Sequence, residues 1–294
     1  MQGGGAMNRI KLVLVMMIWG SIGVFTRAIP LSALDLAFLR ALIALPVLLL
    51  AMKVKKPAQP VRRKLYVPYI VSGVLLGFGW LALFYGYKLT SVSSAVMIYN
   101  MCPVYVMIAA PLLLKEVITK SRILLILCSF LGLFLIVWHD LQAGFGLLGM
   151  AASALSGMIY AAIVLINRGI RNRIDNETAT FVQILSATLI LLPFVLANGS
   201  IREVARLDIA AIALTVLLGL LHTGVAYTLF FSVYERMRSA EIVTYSYLEP
   251  LFGILFSVLL LQETLTLIQI AGGILILGSA LIGGLRGSVA ERQL

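Results

Sequence analysis

Long apolar runs separated by short polar links fill almost the whole chain, and the runs are continuous rather than alternating. Continuous runs of this kind read as membrane-spanning helices. A transmembrane β-barrel would alternate apolar and polar positions instead. Ten runs can be marked: Ile10–Thr26, Leu36–Met52, Leu65–Tyr87, Val92–Leu114, Ile123–Trp138, Gly146–Asn167, Thr178–Leu196, Ile209–Tyr234, Ile242–Leu261 and Leu267–Leu285. Each is close to the roughly 20 residues a helix needs to cross the hydrocarbon. Composition agrees: 61% of the 294 residues are hydrophobic and 12% are charged, which is too little charge for a water-soluble domain of this size. The pattern predicts an all-α polytopic membrane protein with ten transmembrane helices.

The net charge of +11 is concentrated in alternate links. With the N-terminus inside, the inside segments carry Arg9, Lys11, the basic cluster of residues 53–64, Lys115, Lys120, Arg122, Arg168, Arg171, Arg173, Arg236, Arg238, Arg286 and Arg292. The outside segments carry Arg27, Lys88, Arg202 and Arg206. That asymmetry predicts a multi-pass protein of the cytoplasmic (inner) membrane with both termini in the cytoplasm. It also explains the charge as a topology signal, so no nucleic-acid partner is expected. Residues 1–9 read as a flexible leader, with Met7 a candidate native start, and residues 286–294 as a cytoplasmic tail. No A-x-A site follows the first run, so no cleavable signal is expected. Cys102 and Cys128 lie inside apolar runs and read as small buried hydrophobes. No metal site or cofactor is expected.

One stretch organises the rest: Tyr245 to Glu263, an apolar run interrupted by Glu249 and Pro250. It has an earlier echo in Tyr99 to Glu116. Pro103 precedes Glu116 by the same interval that separates Pro250 from Glu263, and the match needs no gap. Further pairs follow the same order. The run from Met17 through Trp19 to Arg27 resembles Met158 through Tyr160 to Arg168, and Leu45-Pro46 resembles Leu192-Pro193. The chain therefore reads as two five-helix repeats, residues 10–143 and 144–285. Five is odd, so the second repeat enters the membrane from the opposite side. Inverted repeats of this kind are typical of secondary transporters, whose site lies near the bilayer midplane between the halves.

These features resemble the drug/metabolite transporter superfamily, and its EamA branch in particular. The residues that carry the resemblance are Trp19-Gly20, Arg40 in span two, Pro103 to Glu116 across span four, Leu248-Glu249-Pro250 to Glu263 across span nine, and Gly272, Gly273 and Gly278 in span ten. The resemblance covers nearly the whole chain. It implies ten spans in two repeats around a central cavity lined by helices one, three, four, six, eight and nine, and export as the direction of transport. It says little about the substrate. One departure is that the first-repeat counterpart of Glu249 is Cys102, so coupling through a carboxylate would be asymmetric.

The candidate site centres on Glu249. A charge at the bilayer centre costs roughly 2.5–3.5 kcal/mol even on the lenient insertion scale, which makes an intramembrane carboxylate a functional candidate. Tyr245, Ser246 and Gly253 share its face at helical spacing. Pro250 cannot donate to the Ser246 carbonyl, which predicts a kink. Glu249 reads either as a proton-coupling or cation-recognising acid, or as a structural tie to Arg40 or to tyrosines. His222, mid-span in helix eight, reads either as a proton relay with Glu249 or as a neutral histidine bonded to a helix carbonyl or a serine. Arg40 could receive a substrate carboxylate. The favoured reading is structural, with the side chain snorkelling outward to Asp35 or the headgroups. Trp19, Trp80, Phe84, Tyr99, Asn100 and Tyr160 are the other candidate substrate contacts, against the alternative of core packing. Glu116 and Glu263 read as gate or helix-end contacts.

The favoured function is a secondary transporter of a small polar metabolite, such as an amino acid, working by alternating access, with the proton a candidate coupling ion. A multidrug or organic-cation exporter is the nearest alternative. A membrane enzyme acting on a lipid-linked substrate is a more distant one, since no Gly-x-Ser-x-Gly, His-Glu-x-x-His or acidic metal cluster occurs. The expected partners are a small-molecule substrate, the lipid bilayer and protons. A monomer or a homodimer both fit.

Overall fold

The computed structural model describes residues 3–55, 63–114, 119–170, 174–199, 201–234, 236–237 and 239–290. Glu116 lies outside these residues, as do Met1, Gln2, Lys56, Arg62, Lys115, Arg171, Arg173, Arg238 and Arg292. Among the described residues, ten helices are long and apolar enough to cross a membrane. They are span one Ala6–Ala28, two Ala33–Val54, three Lys64–Leu89, four Val92–Pro111, five Lys120–Gln142, six Leu147–Gly169, seven Asn176–Asn198, eight Ile209–Val233, nine Glu241–Leu261 and ten Leu267–Leu285. The protein is an all-α multi-pass membrane protein with the repeated architecture expected from the sequence.

The first and last helices run beyond their apolar spans. Residues 3–9, read as a flexible leader, extend the helix of span one, which runs Gly3–Gly20. Arg9 anchors this extension by donating to Glu241 at 2.6 Å, at the start of span nine. The last helix likewise continues past span ten, through Leu267–Ala290, into the segment read as a tail.

The spans pair in a defined way. Span three packs against six and seven, span two against seven, and span five against ten. Span one lies along spans eight and nine, and span four along six and nine. Span five carries exposed Leu124, Leu127 and Phe134, which identifies a lipid-facing surface: large apolar side chains on the outside of a bundle are stable only in hydrocarbon.

Several spans are not continuous helices. Span one breaks at Ser21, between Gly3–Gly20 and Ile22–Ala28. Span four breaks between Val92–Tyr99 and Cys102–Leu114, and span nine between Ser239–Ser246 and Leu248–Leu261. The last two breaks fall at repeat-related positions, Asn100 and Tyr247. Pro103 and Pro250 follow each break by the same short interval, in the first turn of the next half-helix, where the missing N–H costs nothing. Span eight is wound as a π-helix over Leu220–Val225. The wider turn lets the His222 ring meet the Leu217 carbonyl five residues earlier.

Opposite the face on which span one begins, which we call the far face, polar groups tie the spans together. Glu263, just past the end of span nine, accepts from the backbone N–H groups of Val92 and Ser93 at 2.7 and 3.0 Å and from Ser93 Oγ at 2.8 Å. A carboxylate at a helix N-terminus satisfies open donors and the positive end of the helix dipole together. Beside it, buried Asp140 accepts from Thr90 Oγ1 and from Gln269 Nε2, and Gln269 Nε2 also reaches Ser94 Oγ. This agrees with reading Glu263 as a helix-end contact.

Candidate functional site

The breaks in spans one, four and nine and the π-turn of span eight come together in the bundle interior. Gly20, the last residue before the span-one break, lies against the start of the second half of span nine. A Cβ there would stand 2.8 Å from the Glu249 carbonyl oxygen and 2.9 Å from the Gly253 nitrogen. Gly219 does the same for span two: its Cβ would stand 2.5 Å from Ile43 Cβ. Glycine at 219 therefore lets span two approach the π-turn closely enough for Arg40 to enter the interior.

Arg40 does enter it. Its side chain is 3% exposed and its guanidinium carbon stands 4.2 Å from the centroid of the Trp80 ring. Phe84 is the next ring, at 5.7 Å. Nε donates to Thr223 Oγ1 at 2.7 Å, inside the π-turn. The expected outward snorkelling is thus replaced by an inward orientation. A delocalised guanidinium is weakly hydrated and stacks on an aromatic face, which makes the buried position tolerable.

Glu249 sits in the first turn of the half-helix Leu248–Leu261, immediately after the break. It is half-buried although it lies mid-bundle, so its exposed surface looks into interior space. Arg40, Tyr87, Tyr99, Tyr160 and Tyr227 all lie within electrostatic reach of it. Among the described residues, Arg40 and Glu249 form no ion pair with each other. The aromatic groups surround this space. Tyr99 and Tyr160 have ring centroids 5.8 Å apart, and Tyr160 is 38% exposed in the middle of span six. Trp19 meets Tyr227 at 5.2 Å and Phe230 at 5.2 Å, and its indole donates to the His222 carbonyl at 3.0 Å.

The remaining expected residues separate into two groups. Asn100 is half-buried at the span-four break, where its amide donates to the Val96 carbonyl at 2.8 Å. Ser246 is half-buried and donates to the Ile242 carbonyl at 2.8 Å. Three others do not join the lining. Phe84 has no exposed surface and stands behind Arg40 and Trp80, stacked on Tyr87. Tyr245 packs against the cluster of Leu12, Val15 and Met16 of span one and lies near Arg9. The break at Tyr247 interrupts the helical register that would have put Tyr245 and Glu249 on one face. His222 is 1% exposed. Its Nδ1–H donates to the Leu217 carbonyl at 3.2 Å, and Nε2 meets Ser21 Oγ at 2.8 Å. It therefore has both partners of the structural alternative, a helix carbonyl and a serine, and it bridges the span-one break to the π-turn.

Sequence reasoning passed over Tyr227 and Thr223 and disfavoured an inward role for Arg40. One signal was present: Trp80 and Tyr227 are separated by the same interval as Pro103 and Pro250, so Tyr227 is the second-repeat counterpart of Trp80.

A bundle with two broken, repeat-related helices around a polar and aromatic interior is the architecture of a membrane transporter. The family model for the EamA-like transporter family matches residues 9–138 and again 147–283. The chain belongs to the EamA-like transporter family. It is 28% identical over 276 residues to "Uncharacterized transporter YxxF" of Bacillus subtilis, covering 90% of this chain and 87% of that protein. It is 27% identical over 273 residues to an "Uncharacterized transporter" of Archaeoglobus fulgidus, covering 92% and 94% respectively. One solved crystal structure shares the fold, with a TM-score of 0.60, 18% identity and coverage of 95% of this chain and 98% of that one.

Proposed function

We propose that this protein is a secondary transporter that moves a small polar metabolite of amino-acid size across the cytoplasmic membrane by alternating access. The two repeats rock about the interior space, both termini lie in the cytoplasm, export is the working direction and protons drive it. The observation that carries this reading is Glu249. It is a carboxylate at a helix break in the middle of the bundle, open to interior space and without an ion-pair partner among the described residues. Such a group can bind a proton when the space faces one side and release it when the space faces the other. His222, held by Ser21 and Leu217, is assigned a structural part, and Glu249 carries the coupling. An organic-cation exporter is the second reading, favoured by the tyrosine-lined space around Glu249 and opposed by the cation of Arg40 in the same space.

The test is Glu249→Gln, which keeps the shape and removes the ionisation. Flux into proteoliposomes driven by a pH gradient should fall to background, with unchanged expression and unchanged elution as a monodisperse species. Equal gradient-driven flux in wild type and variant would reject Glu249 as the coupling group.

A further inference from the structure

Two opposite charges inside the bundle lack the partners that buried charges require. Arg40 is more than nine-tenths buried, yet only its Nε has a hydrogen-bond partner among the described residues, Thr223. Its two terminal nitrogens, the pair that forms the flat fork of a guanidinium, are left to the interior space. Glu249 faces the same space with no hydrogen-bond partner for its carboxylate among the described residues. The two groups feel each other electrostatically but are not in contact.

Removing one partner of a buried ion pair is strongly destabilising, so a protein that holds both charges apart leaves a gap that something must fill. Water can fill it in the resting state. A ligand fills it better when it carries an anion and a cation a few ångströms apart. The guanidinium fork matches a carboxylate bidentately, because two parallel N–H donors meet two oxygens. Glu249 matches an ammonium group, and Tyr99, Tyr160 and Tyr227 offer ring faces that attract a cation and pack against a side chain. Trp80 and Thr223 fix the plane of the guanidinium, so the fork is oriented before the ligand arrives.

We infer that Arg40 and Glu249 are the two poles of a binding site for a zwitterion with the head group of an α-amino acid, the carboxylate on Arg40 and the ammonium on Glu249. This rests on the transporter reading and sharpens it, because it assigns the substrate's charge pattern and gives span two, otherwise peripheral, the specificity-determining residue.

The test uses purified full-length protein and three probes of one shape: L-phenylalanine, L-phenylalaninamide, which lacks the carboxylate, and 3-phenylpropionate, which lacks the ammonium. Thermal-shift titration should show L-phenylalanine binding at least tenfold more tightly than either analogue. Arg40→Gln should erase the advantage over the amide while leaving amide binding within threefold of wild type, which also shows that the variant is folded. Arg40→Lys keeps the charge without the fork and should retain a weakened advantage. Glu249→Gln should erase the advantage over 3-phenylpropionate. Wild-type protein that binds the amide as well as the amino acid, or an Arg40→Gln variant that keeps the full preference, would overturn the assignment. Counterflow in proteoliposomes separates this from the transporter reading. Flux of the amide or of 3-phenylpropionate with none of L-phenylalanine would sink the zwitterion site alone. No flux of any of the three would sink both.

Discussion

The guanidinium of Arg40 lies 4.2 Å above the ring of Trp80, although one residue comes from span two and the other from span three. Trp80 is itself 7% exposed, so the pair is packed into the bundle rather than resting on its surface. The contact makes Trp80 the floor on which the interior cation rests.

Replacing Trp80 with Ala should therefore do two things. Truncating a buried aromatic costs about 3–5 kcal/mol of stability, and here it also frees the Arg40 fork to reorient. Thermal unfolding should drop by several degrees, and affinity for the transported ligand should fall at least tenfold. Trp138→Ala is the comparison. Trp138 is 54% exposed and, among the described residues, stacks on Phe134 alone, so it should leave affinity unchanged. Matching affinities in the two variants would remove Trp80 from the site.

Ser21→Ala tests the assignment of His222. The substitution leaves Nε2 of a buried imidazole without its hydroxyl partner, a cost of about 1–3 kcal/mol. The expected result is a lower unfolding temperature with the same pH profile of transport as wild type. A displaced pH profile at unchanged stability would return His222 to proton transfer.

Glu263 and Ser93 should be energetically coupled. Hydrogen bonds to charged groups contribute about 1.5–3 kcal/mol, and Glu263 accepts three of them from Val92 and Ser93. Glu263→Gln and Ser93→Ala should each destabilise the protein, and the double variant should be less affected than the sum. A double-mutant cycle on unfolding gives the interaction energy directly. Strict additivity would show that the contact holds nothing.

Gly20→Val should abolish transport, whereas Gly278→Ala should not. A side chain at 20 meets the backbone of span nine at Glu249 and Gly253, and overpacking of this kind costs about 1–3 kcal/mol even where it can be relieved. At 278 a Cβ meets no atom within 4 Å. Flux assays on the two variants, normalised to folded protein, decide it.

The spans, their order and the duplication were readable because each rests on a local or periodic signal. Twenty consecutive apolar residues announce a crossing, and the interval shared by Pro103–Glu116 and Pro250–Glu263 announces the repeat. The prolines also announced a kink in span nine. Its position did not follow from them, and so Tyr245 was placed beside Glu249 when the register is broken between the two. Arg40 was harder still. Whether an arginine near a helix end turns outward or inward depends on what the neighbouring helices offer, here Gly219, Thr223 and Trp80, and none of these is adjacent in sequence. Phe84 and His222 carry the right chemistry at the right depth, but burial is a property of the assembled bundle and cannot be counted along one helix.

The grip of Glu263 on span four has a dynamic consequence. One carboxylate holds three donors at once, so small thermal excursions at that end of the bundle leave every bond in place. Only a displacement of span nine large enough to release all three together exposes the start of span four, and water can then solvate the same donors. The contact therefore has a threshold: it persists through minor fluctuations and gives way as a unit.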